Sequence, residues 1–173
     1  YGDAAHPWRP LPGALEAIAR LNHDGWHVVV ASNQSGLGRG VYEMAAVNSL
    51  HAHMHKLLAV VGARVDALFF CPQAPDEACR CRKPKSGLFD QIGERFGIEL
   101  HGVPAVGDSV DDLIAAAAVG CEPHLVLTGD AAQWRGHDLP ASFPPETRVH
   151  EDLAAFAQYL SERDVAARAV SKS

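Results

Sequence analysis

The sequence predicts an α/β protein built on a doubly wound parallel sheet. Continuously apolar runs, too uniform to have a wet face, alternate with amphipathic segments along the chain. Strands that alternate with helices favour parallel pairing, because each helix returns the chain to the same end of the sheet. We therefore expect one domain over residues 1–163, followed by a frayed tail over 164–173.

The first half of the chain contains two strand and helix pairs. Apolar residues at helical spacing predict a first helix that ends at Gly25. A buried strand is expected at about 26–31, followed by the glycine-rich loop NQSGLGRG. A long amphipathic helix then extends over about 44–61. The run VDALFFC predicts a second strand that ends at Cys71.

The second half repeats the alternation with shorter elements. The predicted order is a helix closed by Gly97, a strand VPAVGD, a helix DDLIAAAAVG and a strand HLVLTG. A short strand near 147–149 and a last helix from about Glu151 complete it. The polar loop before that strand contains Trp134, for which two roles stay open, a lid or a cover over the core.

Composition and charge limit what the protein can bind. The 173 residues are 47% hydrophobic and 21% charged, as in ordinary globular proteins. The formal net charge of -6 argues against non-specific binding to nucleic acid or to an anionic membrane, without excluding a local basic pocket for a phosphate. No apolar run approaches the roughly 20 residues that span a bilayer. We expect a cytoplasmic protein without a signal peptide, and a monomer by default.

The loop GDSVDD after the third predicted strand carries three aspartates. Asp108 should stand at the carboxyl end of that strand, with Asp111 and Asp112 just beyond it. Ligands of such sheets lie at the carboxyl ends of the strands, and Mg²⁺ usually takes one or two carboxylates plus substrate phosphate. Equally, Asp108 and Ser109 can cap the next helix. The loop alone favours neither interpretation.

Two further loops bring polar groups to the same edge of the sheet. Ser32 and Asn33 follow the first strand, and their hydroxyl and amide groups, with glycine-freed backbone, can hold a phosphate. A plain polar loop is the simpler interpretation. Arg82 and Lys83 supply positive charge, since Lys acts as a point charge and Arg grips a phosphate with two hydrogen bonds. Alone, such a pair usually serves only solubility.

The segment CPQAPDEACRCRKP contains three of the four cysteines in the chain. Cysteines packed into one short loop fit a metal clip better than a disulfide framework. Three thiolates supply most of a closed tetrahedral Zn²⁺ site, which would be structural rather than catalytic.

As an ordered set, these loops resemble the haloacid dehalogenase (HAD) superfamily, most of whose members are Mg²⁺-dependent phosphatases. The resemblance lies in a hydroxyl residue followed by Asn after one strand, a Lys before a later helix, and GDxxxD after the next strand. NQSGLGRG and the loop ending CRKP resemble the heptose 1,7-bisphosphate phosphatases of bacterial lipopolysaccharide synthesis, over about Leu11 to Leu160. The histidinol-phosphatase branch shares the cysteine loop, but Ser35 and Arg39-Gly40 favour the heptose branch.

The resemblance implies a role for each polar residue. Ser32 would hydrogen-bond the transferring phosphoryl group. Lys83 would neutralise its charge and orient the nucleophile, while Arg82 would hold the remote phosphate. Asp108 would ligate Mg²⁺, with Asp112 in support. The implied substrate-binding set is Ser32, Asn33, Gln34, Ser35, Arg82, Lys83 and Ser109.

The resemblance also identifies the fourth zinc position. Relatives usually have Cys-Pro-His there, and Gln73 stands in place of the histidine. An amide oxygen is a harder and weaker partner for zinc than imidazole. We expect structural Zn²⁺ on Cys71, Cys79 and Cys81, with an affinity that Gln73 lowers.

The nucleophile motif of the superfamily is missing from the sequence. It is an Asp-X-Asp at the end of a central first strand, whereas the 173 residues contain no Asp-X-Asp, and Asp3 follows no apolar strand. An aspartyl-phosphate needs a carboxylate in line with the phosphorus. We therefore expect that the first central strand is absent, that both neighbouring strands expose an edge, and that the chain as given does not turn over a phosphate ester.

Three explanations stay open on the sequence alone. The chain is an enzyme whose motif precedes Tyr1, a non-catalytic phosphosugar-binding descendant, or a zinc-stabilised module whose loops bind nothing. Retention of all three phosphate-facing loops argues against the last.

Overall fold

The computed structural model of the protein describes residues 13–33, 44–71 and 85–171. Its elements are α1 (Ala14–His23), β1 (Val29–Asn33), α2 (Met44–Val60), β2 (Ala67–Cys71), α3 (Gly87–Phe96), β3 (Pro104–Gly107), α4 (Val110–Ala118), β4 (Glu122–Val126), a 3₁₀ helix (Gly129–Trp134), β5 (Arg148–His150) and α5 (Leu153–Ser171). Strands alternate with helices and pair in parallel, which confirms the predicted α/β class. The frayed tail expected over 164–173 overlaps the end of α5 and stays a prediction.

The described strands form two groups. β1 pairs with β2, and β3, β4 and β5 pair in that order. Within the described part of the chain, β1, β2, β3 and β5 therefore each have a strand partner on one side only, and we consider the edges of β1 and β3. This is the arrangement expected if a strand belongs between them, although the absence of such a strand from the chain stays a prediction.

The amino ends of β1 and β2 are tied together by side chains. Asn22 Oδ1 accepts a hydrogen bond from the Arg64 backbone N–H at 2.8 Å, and Asp66 Oδ2 accepts one from the Val28 N–H at 3.0 Å. β1 begins later than the predicted residue 26, because the Trp26 N–H turns back to the carbonyl of Leu21 at 2.9 Å. The resulting register brings the carboxyl ends of both strands level.

Helix α1 connects the two strand groups through the core. Its Ala17 and Leu21 pack with Val126 of β4 and with α5, while its Leu15 and Ile18 pack against α2. The first core cluster contains Ala17, Leu21, Val126, Phe156, Ala157 and Leu160. The second contains Met54, Leu58, Ala63 and Val65.

A third core cluster lies beneath the loop after β4. It contains Leu113, Leu125, Ala131 and Phe143, with Trp134 packed against it. The rings of Trp134 and Phe143 meet edge to face, with centroids 6.4 Å apart. Trp134 therefore covers the core, which favours that role over a lid.

A chain of polar side chains links β4, β5 and α5. His124 is 0% exposed, and its Nε2 lies 2.6 Å from Glu122 Oε1, which also accepts from Arg163 Nη1 at 2.7 Å. His124 Nδ1 lies 2.9 Å from Nε2 of His150. Because a carboxylate only accepts, His124 must donate from Nε2, and Nδ1 then accepts the proton of His150.

Among the helices in the described ranges, none is both long and apolar enough to cross a membrane.

Candidate active site

The carboxyl ends of β1, β2 and β3 carry three groups of predicted site residues. β1 ends with Ser32 and Asn33, and Asn33 is level with Cys71 of β2 in the strand register. β3 ends at Gly107 and is followed at once by Asp108. Asp108 follows β3 as predicted, whereas Ser32 and Asn33 are the last two residues of β1 rather than the start of the loop after it. The side chains of Ser32, Asn33 and Cys71 lie outside the described part of the structure.

The other predicted phosphate and zinc residues also lie outside the described residues. They are Gln34, Ser35, Gln73, Cys79, Cys81, Arg82 and Lys83. The phosphate-holding loop, the zinc site and the cation pair therefore stay predictions.

Ser109 caps helix α4 and thereby orients Asp112. In its extended conformation, its side chain accepts a hydrogen bond from the Asp112 N–H at 3.3 Å. Gly107 lets Asp112 come close to the end of β3, since a Cβ at Gly107 would lie only 2.6 Å from the Asp112 Cβ. The helix-capping interpretation is thus correct for Ser109, whereas Asp108 does not act as the cap of α4.

Asp108 lies half-buried at the end of β3, close to two other carboxylates. Burial is the largest cause that raises the pKa of Asp108, and the charge of Asp112 is the next, with a smaller effect of Asp130. The Asp130 N–H donates to Asp108 Oδ2 at 3.4 Å, which acts in the opposite direction without cancelling the others. A cation beside Asp108 would relieve both the repulsion and the loss of solvation.

These oxygens fit the requirements of Mg²⁺. Within residues 13–33, 44–71 and 85–171, no three His, Cys, Asp or Glu side chains form a cluster that could hold a metal by themselves. As ligands, Asp108 and Asp112 would supply one or two hard carboxylates, with water or phosphate in the other positions. Mg²⁺ is usually bound in this way, whereas a closed protein cage is typical of structural metals.

The loop after β4 also reaches this site, although no sequence motif indicated it. Gly129 and Asp130 approach Asp108 although they follow it by more than twenty positions in the sequence. The signal was present, because the loop follows a strand and so belongs to the ligand-binding edge of the sheet. It was overlooked because a threonine, a glycine and one aspartate carry no recognisable motif.

Comparisons with known proteins agree with this geometry. A family model described as HAD-hydrolase-like matches residues 80–156, and one described as polynucleotide kinase 3 phosphatase matches residues 4–116. The D-glycero-β-D-manno-heptose-1,7-bisphosphate 7-phosphatase of Bordetella bronchiseptica is 50% identical over 153 residues, which cover 88% of this chain and 84% of that protein. The chain belongs to the heptose 1,7-bisphosphate 7-phosphatase family. The resemblance inferred from the loops is thereby confirmed.

Further members of the heptose 1,7-bisphosphate 7-phosphatase family are similarly close. The Pseudomonas aeruginosa protein is 47% identical over 160 residues, which cover 92% of this chain and 88% of that protein. These relatives are phosphoric monoester hydrolases, and the chain is a member of that enzyme class.

Solved structures of the family share the fold. The crystal structure of the B. bronchiseptica phosphatase, complexed with magnesium and phosphate, has a TM-score of 0.85 at 49% identity and covers 90% of this chain and 86% of that one. The phosphatase from Burkholderia thailandensis has a TM-score of 0.71 at 48% identity, with 88% and 86% covered. The parallel HAD-like α/β fold is thus shared, and the magnesium belongs to the first of these proteins.

Proposed function

We propose that the protein acts on heptose 1,7-bisphosphate as a Mg²⁺-dependent phosphatase that removes the 7-phosphate through an aspartyl-phosphate. The observation that carries the proposal is the half-buried Asp108, close to Asp112, at the carboxyl end of β3 in a chain of this family. Burial, and then the charge of Asp112, raise the pKa of Asp108, which is the electrostatic setting of a cation site.

Each residue then has a defined task. Asp108 binds Mg²⁺, and Asp112, held by the Ser109 cap, supports it. Mg²⁺ supplies charge neutralisation on the phosphoryl oxygens. Ser32 and Lys83 hold the transferring phosphoryl group, and Arg82 holds the phosphate that does not react.

The nucleophile is the part of this mechanism that the given sequence does not supply. No Asp-X-Asp occurs in it, and β1 and β3 each have one edge without a strand partner in the described part of the chain. We propose that the nucleophilic carboxylate belongs at the end of a strand between β1 and β3. The chain as given then binds the substrate without hydrolysing it.

Binding is therefore the direct test of the proposed substrate. With Mg²⁺ present, we expect calorimetry to detect heptose 1,7-bisphosphate binding and a phosphate assay to detect no turnover. Histidinol phosphate should bind roughly tenfold or more weakly, because it lacks the second phosphate for Arg82 and so loses a charged hydrogen bond. Lys83→Ala should weaken both ligands, whereas Lys56→Ala, an exposed residue of α2, should weaken neither.

Equal binding of the two ligands would favour the histidinol-phosphatase alternative, and binding of neither would remove the proposal. A second candidate function, non-catalytic binding of a phosphosugar, is favoured by the missing Asp-X-Asp alone. Restoring an Asp-X-Asp motif distinguishes the two candidates, because only the phosphatase would then show turnover.

A structural zinc site completes the proposal. Cys71, Cys79 and Cys81 would bind Zn²⁺ and hold the segment that carries Arg82 and Lys83. Gln73 would be the weak point, because its amide replaces an imidazole.

Replacing Gln73 by histidine should strengthen zinc binding. Loss of a residue that only hydrogen-bonds a metal ligand typically lowers metal affinity by roughly tenfold or more. A direct ligand should matter at least as much, so we expect Gln73→His to bind Zn²⁺ roughly tenfold or more tightly in a chelator competition. Gln91→His, which adds a histidine at an exposed position of α3, is the matched control and should leave zinc affinity unchanged. Equal affinity in the parent and Gln73→His would show that the glutamine costs nothing.

A further inference from the structure

We infer that Gly129 is a positioning residue that fixes the carboxylate of Asp108 from the loop after β4. The inference rests on the proposed function, which assigns Mg²⁺ to Asp108. It concerns a different element of the fold, since Gly129 opens the 3₁₀ helix Gly129–Trp134 and not the loop that carries Asp108.

The backbone at Gly129 lies directly against one oxygen of Asp108. A Cβ at position 129 would collide with Asp108 Oδ2 and lie 3.3 Å from its Cγ. The next residue, Asp130, donates its backbone N–H to the same Oδ2 at 3.4 Å. The contact with the Gly129 backbone and the hydrogen bond from the Asp130 N–H together hold the Asp108 carboxylate in one orientation.

The loop cannot easily withdraw from this contact. Ala131, two residues after Gly129, is 1% exposed and packs with Leu113 and Leu125 in the third core cluster. The Ala131 N–H also donates to the carbonyl of Thr128 at 3.1 Å, which closes the turn. A side chain at position 129 would therefore move Asp108 rather than the loop, because the colliding atom is the tip of a side chain.

The backbone conformation of Gly129 has a matched control nearby. Gly129 has φ +54° and Gly136 has φ +73°, so alanine meets a similar left-handed strain at both positions. A Cβ at Gly136 meets nothing within 4 Å, whereas a Cβ at Gly129 meets Asp108. Comparing the two variants isolates the contact with Asp108 from the strain.

The test uses Mn²⁺ as a paramagnetic stand-in for Mg²⁺ on the full chain labelled with ¹⁵N. In the parent and in Gly136→Ala, we expect Mn²⁺ to broaden the amide signals of 107–112 before those of the rest of the protein. In Gly129→Ala, the same broadening should need roughly tenfold more Mn²⁺, because the carboxylate is turned away from the ion. Both variants should melt within a few degrees of each other.

The outcomes separate this inference from the proposed function. Equal Mn²⁺ dependence in Gly129→Ala and the parent overturns the positioning role and leaves the metal site standing. Absence of local broadening in the parent overturns the metal site, and the inference with it.

A second measurement needs neither metal nor a Gly129 variant. Asp108→Ala removes the acceptor of the Asp130 N–H, so the Asp130 amide proton should shift upfield in metal-free protein while that of Gly136 stays in place. An unchanged Asp130 resonance would show that the contact is absent and would overturn the inference.

Discussion

Adding an apolar strand that ends in Asp-X-Asp to the N-terminus should raise phosphate release from heptose 1,7-bisphosphate by roughly 10⁴- to 10⁶-fold, because loss of a catalytic nucleophile typically costs that much. The chain as given has no Asp-X-Asp, so no carboxylate is expected in line with the phosphorus. Phosphate release with Mg²⁺ present measures the gain.

We expect the added strand to lie between the two strand groups, beside β1 and β3. β1 and β3 each lack a strand partner on one side in the described part of the chain. Val106 of β3 is 38% exposed, although parallel strands are normally covered on both faces. A strand between β1 and β3 would pair with both edges and shield Val106, so the extended chain should also melt at a higher temperature.

An Asn-X-Asn version of the same added strand is the matched control. It should raise the melting temperature equally, since the strand is the same, but give no turnover. Turnover by the chain as given would contradict the prediction. An extended chain that is stabilised yet inactive would favour the phosphosugar-binding alternative.

Acidification from about pH 6.5 to pH 4 should destabilise the fold by ~2 kcal/mol, through the polar chain of His124, His150, Glu122 and Arg163. Burial first, and then the charges of His124 and Arg148, lower the pKa of His150 to about 4. Burial likewise lowers the pKa of His124. Because His150 is partly exposed, solvent screening reduces the free energy that corresponds to its pKa shift, and ~2 kcal/mol is the value after this discount.

The sign of the effect follows from proton binding. Between pH 4 and 6.5, His150 binds a proton in the unfolded chain but not in the folded one, so stability falls as the pH falls. Glu122 acts in the same direction. Its burial raises its pKa, but hydrogen bonds from Arg163 and His124 outweigh this and lower it, so protonation of Glu122 also favours unfolding.

Urea denaturation at several pH values measures this dependence, and His150→Gln is the informative variant. The glutamine amide can still donate to His124 Nδ1 but cannot titrate, so the stability difference between pH 6.5 and 4 should shrink by the amount that His150 contributes. His137→Gln, at an exposed loop position, should behave as the parent. A pH dependence that is identical in all three proteins would remove His150 as its cause.

Local patterns carried most of the fold prediction. Helical spacing and apolar runs predicted the order of helices and strands, because these depend on neighbours in sequence. The same reasoning put Asp108 directly after β3 and left Ser109 as a candidate cap, both of which the structure bears out. The start of β1 was missed by three residues, because the turn at Trp26 depends on a contact with Leu21.

The sequence by itself determined the family, through its ordered loops, and the lack of an Asp-X-Asp anywhere in the 173 residues. Only the tertiary structure decided that His124 meets Glu122 and His150, that Glu122 also accepts from Arg163, and that Gly129 lies against Asp108. The physical reason is separation along the chain. Glu122 and Arg163 are 41 positions apart, and no local periodicity specifies which distant side chains the packing of β4 and α5 brings together.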